Sequence, residues 1–316
     1  MYKPWIQIGN YDHSGKFSKV VNGKRSVKGI NSLRNCSSTQ EIWMFGGSTT
    51  YGVGVPYSDT IPSYLQQILN SHASCYKVVN YGVPFHFSKQ ESIYFASNLL
   101  GSHRAPAVAI FLDGLNDFGQ PGSALKGEPF FTPKLTNTIP KGSNPGGTDE
   151  SQQPILNLEV VKFLRRKIFS KNLSSTYNYI NYKLPDGYTE SSSSKEISER
   201  FATNTIRLGK LCEAYEVNCF RFLQPVAAIE YAPPSSDALT IWTQDSIKSS
   251  RYANGYELIR RRLNTQPRGI TFTDISGLFK NYVGIPYVDS GHYSPRANKL
   301  IAYSIYSTIS PAVGQE

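Results

Sequence analysis

The sequence predicts an α/β protein whose core is a parallel sheet covered by helices. Five short apolar runs bounded by Gly, Asn or Pro have the length of buried strands, at residues 42–45, 77–79, 107–112, 218–223 and 270–273. Five stretches of helical period lie between or after them, at residues 61–69, 89–100, 197–215, 246–263 and 295–309. This alternation is typical of βαβ units, in which helices cover both faces of a parallel sheet.

Two of the predicted helices carry signals of their own. In the stretch 197–215 the apolar residues recur on one face, as in a helix that covers a sheet: Phe201, Leu208, Leu211, Cys212 and Tyr215. Ahead of the stretch 295–309, Ser294 can accept hydrogen bonds from free helix amides. Pro295 suits the first helical position, because its missing N–H costs nothing there.

The chain of 316 residues is interpreted as one domain with an insertion. Its chemistry-bearing motifs extend from residue 46 to residue 292 and must meet within a single unit, which we place at residues 41–316. Residues 118–195 are rich in Pro, Gly, Ser, Thr and Asn, and stretches such as 191–194 are expected not to fill a core. The fragment 158–169 is either a lid or a plain surface excursion.

Residues 1–40 form a basic leader, which could follow a removed anchor. Six cations and no acid lie between His13 and Gln40: Lys16, Lys19, Lys24, Arg25, Lys28 and Arg34. Together with the net charge of +10, this favours contact with an anionic polysaccharide or a membrane surface, although a solvated basic segment is the alternative. No RNA-binding or zinc-finger pattern is present, so no nucleic-acid partner is expected.

The cysteines and histidines give little support for a metal or a cofactor. Four cysteines form no CxxC pair, and the chain has only five histidines. An even count of cysteines is compatible with disulfides. Cys219 lies in a predicted buried strand, however, where a free thiol behaves as a small hydrophobic side chain, and this favours an unpaired cysteine.

A glycine-flanked serine follows the first predicted strand, in the segment Gly-Gly-Ser-Thr-Thr-Tyr-Gly at residues 46–52. Ser48 is either a nucleophile at the edge where ligands approach open α/β sheets or a cap of the next helix. Three rival motifs fail: the hydrolase elbow needs Gly where Thr50 stands, the phosphate loop needs Lys where Val53 stands, and the dinucleotide motif has Tyr57 at its third glycine.

Three further segments carry groups that acyl transfer requires. Asp289 precedes His292 by three residues, and a carboxylate at that spacing can fix the tautomer of an imidazole base. Gly82 follows the second strand and can offer a backbone N–H, while Asn116 follows the third and can offer a side-chain amide to an oxyanion. Each segment alone is ordinary turn chemistry.

Together and in this order, the four segments resemble the blocks of the SGNH hydrolases, also called GDSL esterases and lipases. The residues at the block positions are Ser48, Gly82, Asn116, Asp289 and His292. Residues 114–117 fit the Gly-x-Asn-Asp block, whereas Gly47 stands where the family usually has Asp. The resemblance covers residues 40–118 and 197–309 and implies a flavodoxin-like α/β/α sandwich around a parallel five-stranded sheet.

The resemblance implies a serine acyl-ester hydrolase without a cofactor. Ser48 is expected as nucleophile, His292 as base and Asp289 as its orienting acid, with an oxyanion held by the Ser48 and Gly82 amides and the Asn116 side chain. The polar, aromatic-rich composition favours a carbohydrate O-acetyl substrate. An O-acyltransferase and a non-catalytic glycan-binding module are the alternatives.

Two further expectations concern location and the choice of base. The leader resembles the juxtamembrane part of anchored extracytoplasmic family members, which favours a location outside the cytoplasm. His292 is the only histidine after residue 103. His86 is the next candidate base and is otherwise interpreted as a packing residue.

Overall fold

The computed structural model describes residues 2–3, 6–30, 36–72, 75–126, 184–229 and 246–314. The strands in this part of the chain are β1 (Tyr2–Lys3), β2 (Gln7–Ile8), β3 (His13–Ser14), β4 (Lys19–Val21), β5 (Lys24–Arg25), β6 (Gln40–Gly46), β7 (Tyr76–Asn80), β8 (Val108–Asp113), β9 (Asn218–Leu223) and β10 (Thr271–Asp274). The α-helices are α1 (Ser48–Tyr51), α2 (Ile61–Ser71), α3 (Ser88–Gly101), α4 (Leu115–Gly119), α5 (Pro121–Lys126), α6 (Glu190–Ala214), α7 (Ser246–Arg262) and α8 (Pro295–Val313). Two 3-10 turns span Tyr57–Asp59 and Ser276–Phe279.

The centre of the molecule is a sheet whose body is parallel, with strand order β10-β9-β8-β6-β7. Side chains of β6 alternate between its two faces, so that Ile42 and Met44 join one core cluster while Trp43 and Phe45 join the other. Every residue of β8 is buried, because helices cover both faces. The five predicted strands and the α/β fold class are therefore confirmed.

Helices form a layer on each face of the sheet. On one face α2 and α8 contribute Leu65 and Ile305 to the first core cluster. On the other, α3 and α6 contribute Phe95 and Leu208 to the second. The five predicted helices are confirmed as α2, α3, α6, α7 and α8, and Ser294 accepts from Ala297 N at the start of α8. The molecule is thus the expected three-layer sandwich.

The expected strand count was wrong, because the described sheet has eight strands instead of five. The additional strands β5, β4 and β3 extend it antiparallel from β7, with Arg25 paired to Asn80. They come from the basic N-terminal residues, of which Ile6 and Val20 are buried in the fold. Each of these strands has two or three residues, too few for a hydrophobic period to reveal it.

The serines at 191–194 were also misjudged, since they lie in the first turns of α6. Ser193 and Ser194 are fully buried, and Ser198 follows on the same face. The hydroxyl of Ser198 donates both to Ser194 O, at 2.6 Å, and to Gly255 O of α7, at 3.0 Å. Small side chains therefore let α6 and α7 approach closely while their hydroxyls remain hydrogen-bonded.

All four cysteines are paired, so the interpretation of Cys219 as a free thiol was wrong. One disulfide joins Cys36 to Cys75 ahead of β7, and the other joins Cys212 near the end of α6 to Cys219 in β9. The short connection between α6 and β9 brings the second pair together.

The proposed lid helix at 158–169 lies outside the described residues. Within the described ranges no helix is long and apolar enough to cross a membrane.

Candidate active site

Ser48 begins the short helix α1 immediately after β6, at the edge where the parallel strands end. Its N-cap is Gly47, which makes no side-chain capping bond, so Ser48 does not serve as the cap. The turn needs glycine twice: a Cβ at Gly46 would lie 2.0 Å from Thr50 Oγ1, and one at Gly47 would lie 2.4 Å from Asn116 Nδ2. Close approach of backbone and side chains thus shapes this turn.

His292 and Asp289 form a tightly bonded pair in the loop before α8. Nδ1 of His292 lies 2.8 Å from Asp289 Oδ1 and 2.7 Å from Oδ2. Burial by itself would raise the pKa of Asp289, but hydrogen bonds from the His292 ring and from the N–H groups of Gly291 and His292 lower it overall. The carboxylate therefore stays ionised and holds the ring with Nδ1 as a donor.

The other ring nitrogen of His292 is available for chemistry. Nε2 is buried and makes no hydrogen bond within the described part of the chain. Gly54, six residues after Ser48, is near this residue, since a Cβ added there would lie 4.0 Å from His292 Cβ. An imidazole with one nitrogen fixed by a carboxylate and the other unpaired is suited to accept a proton.

Gln224, which the sequence analysis did not identify, connects the two predicted catalytic segments. It is buried and directly follows β9. Its Oε1 accepts a 2.9 Å hydrogen bond from Thr49, the residue after Ser48, and lies 3.2 Å from the hydroxyl of Tyr293, the residue after His292. The sequence signal that could have identified Gln224 is a polar residue directly after an apolar strand, at the edge where the parallel strands end.

Asn116 reaches the nucleophile turn from α4. Its Nδ2 donates to His86 O at 2.6 Å and lies against Gly47, which places the amide beside Ser48. The next residue, Asp117, accepts a 2.6 Å hydrogen bond from the Ser88 hydroxyl. Consecutive residues of α4 are thus tied to the loop that precedes α3, and the amide is held next to the serine.

Gly82 is close to the nucleophile turn, but its N–H has another partner. It donates to Asn80 Oδ1 at 2.9 Å, which argues against the expected role as an oxyanion donor. The glycine is needed for packing, because a Cβ there would lie 2.3 Å from Tyr51 N. The same loop then passes through Phe85, which has a left-handed φ of 71°.

His86, the second candidate base, is buried. Its ring is 1% exposed, and its Nε2 lies 3.1 Å from Ile8 O. Burial lowers the pKa of His86 to about 4, only partly offset by the hydrogen bond with Ile8, so the ring is neutral near pH 7. Nε2 then donates to Ile8 O, while Nδ1 is buried without a hydrogen-bond partner among the described residues.

A cluster of buried charges lies behind the Asn116 segment. Arg221 of β9 lies 3.0 Å from Asp113 of β8, and neither side chain is exposed. Burial, together with the charge of Asp113, raises the pKa of Asp117 to about 7. The same two causes raise the pKa of Glu91 well above its usual value. The cluster therefore contains one guanidinium, that of Arg221, together with two carboxyl groups, Glu91 and Asp117, whose raised pKa favours the protonated form.

The described residues form an α/β/α sandwich in which Ser48 begins the helix after β6 and Asp289 binds His292 in the loop before α8. This is the three-layer α/β/α fold class that the sequence predicted. Asn116 lies against the residue before Ser48, and Gln224 bonds both to Thr49 and to Tyr293, the residues that follow Ser48 and His292.

Comparisons with known proteins give structural neighbours only. No family model matches the chain, and no curated protein matches it. The lipase/acylhydrolase from Enterococcus faecalis is 11% identical, over 88% of this chain and 99% of that chain, with a TM-score of 0.49. A member of the lipolytic G-D-S-L family from Veillonella parvula is 13% identical, over 85% and 98%, with a TM-score of 0.46. The aryl esterase of M. smegmatis is 10% identical, over 87% and 100%, with a TM-score of 0.46.

Proposed function

We propose that the protein is a serine-dependent acyl-ester hydrolase with Ser48 as nucleophile and His292 as base. One observation carries the proposal: Asp289 binds Nδ1 of His292, while Nε2 is buried and has no hydrogen-bond partner among the described residues, and Gln224 links the residues that follow Ser48 and His292. A solvated surface turn would leave Nε2 exposed to water. A buried, unpaired acceptor beside a serine turn is the arrangement that nucleophilic catalysis requires.

The proposed mechanism has two half-reactions. Ser48 Oγ attacks the ester carbonyl as His292 Nε2 takes its proton, and the tetrahedral oxyanion accepts hydrogen bonds from the Ser48 N–H and Asn116 Nδ2. Collapse breaks the ester bond, and His292 returns the proton to the leaving alcohol. Water, deprotonated by His292, then releases the acid from the acyl-serine, and Asp289 stabilises the imidazolium in both steps.

Within this class, we favour a carbohydrate O-acetyl ester as the substrate, because the chain is polar and rich in aromatic residues. An O-acyltransferase would share the first half-reaction and pass the acyl group to a sugar hydroxyl instead of water. A non-catalytic glycan-binding module is the second alternative. The buried, unpaired Nε2 of His292 favours an enzyme, because binding alone does not need it.

For location, we propose a compartment outside the cytoplasm. Both described disulfides support it, because such bonds persist in oxidising compartments and are rare in the cytosol. The basic N-terminal residues would contact an anionic polysaccharide or membrane surface, and no nucleic-acid partner is proposed.

Acetate release from p-nitrophenyl acetate tests the enzyme proposal. We expect Ser48→Ala to lower kcat by on the order of 10⁴-fold or more. Ser290→Ala, a serine beside His292 with no proposed role, should retain wild-type turnover. If wild type and Ser48→Ala are equally inactive, the protein is not this enzyme. Adding an oligosaccharide acceptor and measuring acetylated sugar against free acetate separates the transferase from the esterase.

A further inference from the structure

Arg25, a residue of the N-terminal strand β5, is buried beneath the nucleophile turn. Arg25 is 4% exposed, and burial and Tyr51, not a carboxylate, are the influences on its pKa among the described residues. Burying a cation is costly unless its hydrogens are satisfied. Burial lowers the pKa of Arg25, but the pKa of an arginine starts so far above 7 that the guanidinium is still charged near pH 7.

Three partners of this guanidinium are backbone carbonyls that closely follow Ser48 in the chain; Nη2 also donates weakly to Phe17 O at 3.5 Å, and Nε has no partner among the described residues. Nη1 donates to Tyr51 O at 2.9 Å and to Gly52 O at 2.5 Å, and Nη2 donates to Val55 O at 2.7 Å. The guanidinium also lies 4.8 Å from the centre of the Tyr51 ring. One side chain therefore binds three carbonyls within five residues of chain.

These contacts supply hydrogen-bond donors to the carbonyls at and after the end of the short helix α1. α1 has four residues, and Ser48 O accepts from the N–H groups of Gly52 and Val53. The carbonyls after it point away from any continuing helix, because Gly52 and Gly54 turn the chain with φ of 92° and 86°. Carbonyls at a helix end need donors, and a cation there is also favoured by the helix dipole.

The same N-terminal segment also holds the neighbouring loop of the site. The side chain of Asn10 donates from Nδ2 to Gly82 O at 3.0 Å and to Gly23 O at 3.0 Å. Ile8 O contacts the ring of His86, whose own carbonyl accepts from Asn116. Residues well before the first block thus contact two of the loops that the proposed site uses.

We propose that Arg25 is a positioning residue for Ser48: its guanidinium fixes the end of α1 and thereby the direction of the Ser48 side chain. Arg25 does not contact the reacting atoms. The inference rests on the proposed function for its effect on turnover. Its structural part, the fixing of residues 48–55, can be measured without any substrate.

The test compares Arg25→Lys with wild type in the full chain. An ammonium is a compact point charge and cannot span three carbonyls as a planar guanidinium does, so positive charge is kept while the fork is lost. Leu99→Ala is the stability control, because Leu99 is a buried residue at the end of α3. It creates a cavity without contacting the Ser48 turn.

Two readouts are measured: amide hydrogen exchange at Gly52 and Val53, and kcat and KM for p-nitrophenyl acetate. We expect Arg25→Lys to speed exchange at both amides by about tenfold or more and to lower kcat by roughly 10²-fold with KM within about threefold. Leu99→Ala should lower the melting temperature with wild-type exchange at these amides and wild-type kcat. Guanidinium ion at millimolar concentration should partly restore kcat to Arg25→Ala.

The outcomes separate the two proposals. Wild-type exchange and wild-type kcat in a folded Arg25→Lys protein overturn the positioning role. Faster exchange in Arg25→Lys together with an inactive wild type supports the fixing of the turn and overturns the proposed enzyme. An equal loss of kcat in Leu99→Ala shows that general stability is responsible and overturns the specific role of Arg25.

Discussion

The two sides of the proposed site are held in different ways. The nucleophile turn is buried, and side chains from distant segments hold it: Arg25, Asn80 and Gln224. The loop that carries Asp289 and His292 is more exposed, with Val283 82% and the Asp289 side chain 50% accessible. Bonds within the loop, such as Val288 N to His292 O at 2.8 Å, orient Asp289 and His292, and the Tyr293 hydroxyl ties the end of the loop to Pro225 O at 2.6 Å.

Because of this difference, activity and folding stability should respond differently to substitutions on the two sides. Polar groups converge on the Ser48 turn from β5, β7 and β9, so a change there disturbs packing and geometry together. The base is oriented within its own loop, so removal of its side chain should affect chemistry with little effect on folding. Substitutions on the two sides should therefore differ in their ratio of lost activity to lost stability.

The largest effect on turnover is expected for His292→Ala, in the loop before α8. Removing the base should lower kcat by about 10⁴-fold or more, while the free energy of unfolding changes by no more than about 1 kcal/mol. Steady-state kinetics and chemical denaturation measure the two quantities. His103→Ala, an exposed histidine far along the chain, is the control. Wild-type turnover in His292→Ala would remove this residue from the mechanism.

A smaller loss of turnover, with a larger loss of stability, is expected for Gly47→Asp on the buried side. This change introduces the residue that SGNH hydrolases usually have before the serine. Its Cβ, however, would lie 2.4 Å from Asn116 Nδ2 and 3.1 Å from His86 O. We expect kcat to fall roughly 10²-fold because the amide is displaced. Thermal melting and ester kinetics check this, and equal or higher activity would show that the turn tolerates the carboxylate.

The smallest effect on turnover is expected for Asp117→Asn, whose main signature is the pH dependence of stability. The pKa of Asp117 is raised from 3.8 to about 7, so between these values the folded state binds more protons than the unfolded state. Wild-type stability from this group is therefore present below about pH 4 and is lost as pH rises to about 7. Asparagine does not titrate.

Relative to wild type, Asp117→Asn should become more stable by about 1 to 3 kcal/mol as pH rises through this window. Urea denaturation at pH 4, 5.5 and 7.5 gives the difference. Asp186→Asn, a carboxylate in a described turn away from this cluster, is the control. A constant difference between Asp117→Asn and wild type across these pH values would contradict the raised pKa.

Much of the fold and site could be predicted because they depend on local patterns. Strands of four to seven residues leave an apolar run, and parallel strands all end at one edge of the sheet, which is why Ser48 and Asn116 meet there. Asp289 and His292 lie three residues apart, so their contact is also local.

The remaining features depend on contacts between distant residues. β3, β4 and β5 are too short to leave a pattern, and they form because β7 offers them an edge. Arg25 is indistinguishable from the other cations of a basic leader until its carbonyl partners are known. The direction of the Gly82 N–H depends on the Asn80 side chain, which no spacing rule specifies.

The Cys36–Cys75 disulfide determines what happens to the chain when its backbone is cut between these two residues. It closes a ring with a sequence separation of 39 that contains Ser48 but not His292. Closing a loop of this length lowers the entropy of the unfolded chain and so raises its free energy by about 4 kcal/mol. A protease cut within the ring would leave both fragments covalently joined until a reductant is added, so the nucleophile strand would stay attached to the domain after its backbone is broken.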